Sequence, residues 1–114
     1  MKIGRYDKYY VATMDNKVVG CSWLESTEDA EADCEIIALY VKCGQRGNGI
    51  GKALFLNAEE QFKKDGKKSM IIWCLKDNSE ARKFYEKMGG KENGYSTHRW
   101  GEKDYDMVAY LYEL

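Results

Sequence analysis

Proline is absent from this 114-residue chain, and histidine occurs once, as His98. Without proline, glycine and Asx residues must punctuate the elements. The cysteines, at 21, 34, 43 and 74, form no Cys-x-x-Cys pair and have no histidine cluster beside them, so no metal site is expected. Cys21, Cys34 and Cys74 lie in or beside apolar, strand-like segments and read as small buried fillers. Cys43 adjoins a glycine-rich loop but lacks a nearby histidine in sequence to activate it as a nucleophile. Free thiols fit a reducing compartment. No apolar run approaches the roughly 20 residues that span a bilayer, and no signal-peptide pattern opens the chain. A cytoplasmic protein without a membrane partner is therefore expected.

Charge of one sign is also lacking. Eighteen Lys and Arg stand against nineteen Asp and Glu, a net charge of -1, which excludes a uniformly basic nucleic-acid binder. Lys63-Lys64 and Lys67-Lys68 read as a solvated helix end and the loop after it. The length suits one domain, residues 1–114, with a single core.

What is present is a series of short periodic segments. Tyr9–Met14 reads as a strand, Asp15-Asn16-Lys17 as a turn and Val18–Leu24 as the antiparallel return. Glu25–Asp33 is acidic and polar, a loop. Glu35–Val41 is an apolar strand of interior character. Ile50, Leu54, Ala58 and Phe62 form one helical stripe that stops near Asp65-Gly66. Ser69–Leu75 is a second buried strand, reached through the helix and so parallel to the first. Asn78 or Asp77 caps a helix with Ala81, Phe84, Tyr85 and Met88 inward, ended by Gly89-Gly90. Tyr95–Trp100 pairs across Gly101 with a closing strand in which Tyr105, Met107, Ala109 and Leu111 alternate. The class is α+β: a mixed, mostly antiparallel sheet with one parallel pair and helices packed against it.

The most informative segment is Gln45-Arg46-Gly47-Asn48-Gly49-Ile50-Gly51-Lys52, between the strand ending at Val41 and the first helix. Glycines at alternate positions let the backbone turn sharply and approach a ligand, and the helix start turns unpaired N–H groups and a positive dipole end toward the loop. A diphosphate suits such a site. The order Gly47-x-Gly49-x-Gly51 is not the dinucleotide fingerprint Gly-x-Gly-x-x-Gly, and Lys52-Ala53 does not complete a Walker loop.

Arg46-x-x-Gly49-x-Gly51 after Glu35-Ile36-Ile37-Ala38-Leu39-Tyr40-Val41 resembles the acyl-CoA loop of the GNAT superfamily of N-acyltransferases. Asn78-Ser79-Glu80-Ala81-Arg82-Lys83-Phe84-Tyr85-Glu86-Lys87-Met88-Gly89-Gly90 is similar to that family's Asn-x-x-Ala-x-x-Phe-Tyr-x-x-x-Gly helix, and the two occur in the family's order. The resemblance implies a GNAT-like domain that takes acetyl-CoA as co-substrate, needs no metal and acetylates a primary amine of a small molecule or peptide.

It also implies site residues. Main-chain groups from Gly47, Asn48, Gly49, Ile50 and Gly51, with Arg46 and Lys52, would hold the pyrophosphate, and those of Leu39 and Val41 would pair with the pantetheine arm. Asn78 would contact the donor, Tyr85 would protonate or hydrogen-bond the departing thiolate, and Glu35 would serve as base, with Glu25 and Asp33 as substitutes. His98, Arg99 and Trp100 are expected at the surface. Members usually begin with a strand and two helices that help wall the acceptor site, whereas this chain reads as starting at the second strand. A homodimer or another partner could supply the wall. The other reading of the shortened start is a non-catalytic acyl-CoA-binding or partner-completed regulatory module.

Overall fold

The alternating and apolar runs assemble into one sheet because most of them can bury only one face alone. A computed structural model describes residues 1–27, 31–45 and 49–114. The strands are β1 (Lys2–Tyr6), β2 (Tyr9–Met14), β3 (Lys17–Ser26), β4 (Cys34–Val41), β5 (Ser69–Leu75), β6 (Lys91–Trp100) and β7 (Lys103–Glu113). Helix α1 (Ile50–Lys64) joins β4 to β5, and α2 (Ser79–Lys87) joins β5 to β6. Seven strands lie in the order β1-β2-β3-β4-β5-β7-β6. Among the described residues only β4 and β5 pair in parallel, as a helical crossover requires.

Two elements differ from the sequence reading. A strand precedes Tyr9: β1 pairs antiparallel with β2 from Lys2↔Thr13 to Tyr6↔Tyr9. The link between them is a hairpin with Asp7 at φ 58, so no helix separates these two strands. The loop expected from Glu25 is also shorter, since β3 continues to Ser26 opposite Cys34.

Both helices pack on the same sheet face. Phe55, Ala58 and Phe62 of α1 and Tyr85 of α2 share a core with Tyr10, Leu24, Cys34, Ile36, Met70, Ile72, Cys74, Val108, Tyr110 and Tyr112. A smaller cluster of Ala12, Val19, Ile50 and Leu54 seats the start of α1. Gly20 makes that approach possible: a Cβ there would lie 2.8 Å from the Tyr40 carbonyl oxygen and 3.0 Å from Ile50 Cγ2. On the opposite face Ala32 covers Ile71 and Ala109, and no helix lies over β1–β4 among the described residues.

Candidate active site

Strand β4 is where the sheet opens. Its pairing with β5 runs Cys34↔Met70, Glu35↔Ile71, Ile36↔Ile72 and then stops, although β4 continues to Val41 and β5 to Leu75. The cause lies on the other edge of β4. Trp23 pairs with Ala38 and Leu24 with Ile36, so Ile37 is an extra residue, a bulge that bends the strand where the parallel ladder ends. A wedge-shaped gap follows between residues 37–41 and 73–75. Ile37, at the bulge, is 38% exposed, and Tyr40, on the sheet face without helices, is 57% exposed, against the continuous cover the composition suggests.

The backbone phase of the gap is fixed by one hydrogen bond. The Lys42 N–H donates to the Val19 carbonyl at 2.8 Å. Antiparallel partners alternate between bonded and non-bonded pairs, so Val41 opposite Gly20 and Leu39 opposite Ser22 turn their N–H and C=O groups away from β3, toward the gap. Those are the two residues whose main chain the family resemblance assigns to a pantetheine arm.

Helix α1 begins at the same edge. Its N-cap, Gly49, adopts φ 73 and provides no side-chain cap, and the first turn contains no acidic residue. Gly49 thus supplies the early N–H groups of α1 with no side-chain acceptor, a fit to an anion. Ile50 is buried in the core, leaving its main chain as the group that can serve a ligand, while Lys52 is exposed. Arg46, Gly47 and Asn48 lie outside the described residues.

Helix α2 starts beside it in a different state. Asn78 Oδ1 accepts the Ala81 N–H at 3.1 Å, so its oxygen is engaged as a cap and only its amide N–H groups are available to a ligand. The two sequence motifs meet at the mouth of the gap. A Cβ on Gly51 would stand 3.5 Å from Val41 Cγ2 and 3.7 Å from the Phe84 ring, bringing α1, β4 and α2 to one point.

Tyr85 is 8% exposed, packed between Phe84 (ring centroids 5.4 Å) and Tyr110 (6.0 Å). Burial pushes its phenol up to about 12, with the Cys74 side chain adding to the shift. Cys74 lies on β5 past Ile72, the last rung, which sets Tyr85 against the wall of the gap.

Glu35 lies on the other face. Its neighbours Cys34 and Ile36 pack in the core with Tyr85, and successive strand residues point oppositely, so the Glu35 carboxylate projects on the face without helices. The structure therefore does not bring Glu35 and Tyr85 together on one face. It sets them on either side of the sheet, near the apex of the gap.

The substitute bases are otherwise occupied. Glu25 accepts from Trp23 Nε1 at 2.9 Å and pairs with Lys8 at 3.0 Å, and these bonds hold its carboxyl below the ordinary range. Asp33 accepts the Lys68 and Ser69 N–H groups at 3.1 and 3.2 Å, which lowers it likewise. Both are weakened as bases and read as structural. Exposed His98 and Trp100 and half-buried Tyr105 form a ladder with ring centroids 4.5 and 5.0 Å apart, on the hairpin of β6 and β7. Cys43 is exposed, Cys21 half-buried, and Cys34 and Cys74 buried, all as free thiols. No group of residues able to hold a metal ion occurs among the described residues, and none of the described helices is long and apolar enough to cross a membrane.

Sequence reasoning missed the supports of Tyr85. Tyr112 donates its hydroxyl to the Tyr85 carbonyl. Tyr110 accepts from Arg82 Nε at 3.0 Å and donates to Glu86 Oε2 at 2.7 Å, while Arg82 also pairs with Glu92. The spacing of Arg82 and Glu86, one helical turn apart, was the available signal.

The acetyltransferase (GNAT) family profile matches residues 3–90. The chain is 34% identical over 91 residues to an uncharacterized N-acetyltransferase of Methanocaldococcus jannaschii, covering 75% of this chain and 40% of that protein. It is 33% identical over 103 residues to an uncharacterized N-acetyltransferase of Mycobacterium bovis, covering 88% of this chain and 65% of the relative. It thus spans less than two thirds of the length of these relatives. Among solved structures, a putative streptothricin acetyltransferase from Bacillus anthracis in complex with acetyl coenzyme A superposes with a TM-score of 0.82 at 22% identity, over 93% of this chain and 61% of that one. That likeness carries the fold, and the profile and the relatives carry the family. The chain belongs to the GNAT acetyltransferase family.

Proposed function

We propose that the chain is an N-acetyltransferase that takes acetyl-CoA as co-substrate and acetylates a primary amine by direct attack within a ternary complex. The observation that carries the reading is the gap past Ile36↔Ile72, with the main chain of Leu39 and Val41 turned into it and an uncapped helix start at its mouth. Bound acetyl-CoA would supply an activated acetyl thioester, and the amine would form the C–N bond as the C–S bond breaks.

In this reading the N–H groups of Gly49, Ile50 and Gly51, with Gly47, Asn48 and the side chains of Arg46 and Lys52, hold the pyrophosphate. Leu39 and Val41 align the pantetheine arm as an added strand, and an N–H of β4 aimed at the thioester oxygen contributes about 3 kcal/mol. Asn78 adds a donor contact through its amide N–H. Tyr85 hydrogen-bonds the departing sulfur from the helix side. With its phenol at about 12, full transfer to a thiolate whose acid has a pKa of about 8.5 lies roughly 5 kcal/mol uphill, so Tyr85 acts as a hydrogen-bond donor rather than a proton source. Glu35, on the opposite face, accepts the amine proton directly or through water. This matters because an alkylamine of pKa about 10.4 is almost wholly protonated at neutral pH. The absence of a nucleophile–histidine pair in the sequence favours direct attack over a covalent acyl-enzyme.

The uncovered face over β1–β4 favours a second reading, an acyl-CoA-binding module completed by a partner. Both readings require acetyl-CoA binding. Turnover against an amine library, slowed but not abolished in Tyr85→Phe while acetyl-CoA affinity is kept, supports the enzyme; binding without turnover of any amine supports the module.

A further inference from the structure

Past Ile72, β5 has lost its β4 neighbour, so residues 73–75 form a wall of the gap that only β7 holds in the sheet. Lys76, Asp77 and Asn78 carry this wall into α2. Arg82, one turn into α2, reaches back to that link. Each nitrogen of its guanidinium serves a different element. Nη1 donates to the Lys76 carbonyl at 3.2 Å, Nε to the Tyr110 hydroxyl of β7 at 3.0 Å, and Nη2 to Glu92 of β6. The partners are fixed in turn: the Lys76 N–H donates to the Asp106 carbonyl at 2.9 Å, and the Tyr95 hydroxyl to Glu92 Oε2 at 2.7 Å. Tyr110, fully buried, donates its own hydroxyl to Glu86 at 2.7 Å, and its ring lies 6.0 Å from that of Tyr85.

We propose that Arg82 is a positioning residue for acyl transfer: it locks the gap wall at 73–76, α2 and β7 into one unit and so aims the Tyr85 hydroxyl at the departing sulfur. The proposal rests on the acyl-transfer reading of the gap. Arg82 stands at an unspecified position of the Asn-x-x-Ala-x-x-Phe-Tyr helix, so the motif gives it no role of its own. An ion pair with the half-open Glu92 would by itself fix little. The bonds to a main-chain carbonyl and to a buried hydroxyl are what specify geometry, and they need a planar fork of donors. A lysine ammonium, a point charge on a flexible stem, does not span the three partners at once. These bonds lie on the β5–α2–β7–β6 side of the gap. The groups assigned to acetyl-CoA, Asn78 apart, lie on the other side, on β4 and at the start of α1. Loosening the clamp therefore acts on the placement of Tyr85 more than on the hold on the donor.

Kinetics of Arg82→Lys, alone and combined with Tyr85→Phe, test the proposal, with each variant assayed well below its melting temperature. Arg82→Lys is expected to lower kcat about 10-fold, while its acetyl-CoA Kd by calorimetry changes less than about threefold. In the Tyr85→Phe background the same substitution should lower kcat less than about twofold, because the hydroxyl it positions is gone. Tyr110→Phe keeps the ring, removes only the hydroxyl that Arg82 grips, and should repeat both results. Losses that multiply in the double variants overturn the proposal, since Arg82 then acts on the fold at large and not through Tyr85. An unchanged kcat in Arg82→Lys, or a Kd weakened by the same factor as kcat, overturns it equally. A wild type that binds acetyl-CoA and turns over no amine is a separate result: it removes the acyl-transfer reading and the proposal with it.

Discussion

The hydroxyl of Tyr112 donates to the backbone carbonyl of Tyr85 at 2.7 Å inside the core. The Gly90 N–H reaches the same oxygen at 3.0 Å. The last carbonyls of a helix have no partner within it; the Gly90 bond closes the end of α2, and the Tyr112 bond joins it to β7 and fixes where the Tyr85 ring points. Tyr112 is itself held against Phe55, with ring centroids 5.0 Å apart, which ties both helices to one strand.

Removing that hydroxyl should be felt in stability before activity. Tyr112→Phe keeps the ring and loses a buried bond, with Gly90 still satisfying the carbonyl; a loss of about 1 kcal/mol is expected. Gly90→Ala should cost more, about 1–3 kcal/mol, because its Cβ would fall 2.5 Å from the Tyr112 oxygen and 3.0 Å from the Tyr85 carbonyl. Urea unfolding of both variants checks the order, and a less damaging Gly90→Ala would contradict it.

Gly20→Ala tests how closely α1 must approach the sheet. The new methyl meets backbone at 2.8 Å, which cannot yield as a side-chain tip can. A loss of about 1–3 kcal/mol is expected, together with weaker acetyl-CoA binding because the start of α1 shifts. Unfolding and calorimetry on the same variant separate the two effects.

Much of this architecture was legible because it is local. β2 and β5 fall within the limits that alternation and apolar runs indicate, α1 starts at Ile50, and Asn78 caps α2. β1 was missed because Lys2-Ile3-Gly4-Arg5-Tyr6 has a glycine, two charges and only one buried-side apolar residue, and forms a strand only by pairing with β2. The bulge at Ile37 was equally hidden, since an extra residue exists only relative to the partner strand. The gap was therefore reached through resemblance, and its backbone phase needed the Lys42–Val19 bond. Nor could periodicity tell that both helices share one face and that Glu35 and Tyr85 stand on opposite ones.

Those opposite positions predict separable kinetic defects. Tyr85→Phe should lower kcat about 10- to 100-fold with little change in the acetyl-CoA KM, the effect of losing one hydrogen bond to developing negative charge. Glu35→Gln should lower kcat/KM for the amine by about 100-fold at neutral pH. That defect should shrink as pH rises toward about 10, where the amine sheds its own proton. A Glu35→Gln defect constant over this range would remove the base assignment.

Alkali should destabilise the fold through its buried acids. Burial pushes Cys34 up to about 12 from an ordinary 9.0, and Cys74, Tyr85 and Tyr112 shift in the same direction. Groups with raised folded values contribute stability that is complete below their unfolded pKa and lost as pH climbs through the folded one. The melting temperature should be insensitive to these groups up to about pH 8.5 and fall between about pH 9 and 12. Cys34→Ala should flatten the early part of that fall.

The central claim is that the gap between β4 and β5 takes an acyl-CoA. Calorimetric titration of the purified chain with acetyl-CoA and, separately, with NAD addresses it most directly. Saturable binding of acetyl-CoA at one site per chain, with no heat from NAD, is the predicted result. No binding of acetyl-CoA, or equal binding of both, would contradict the account.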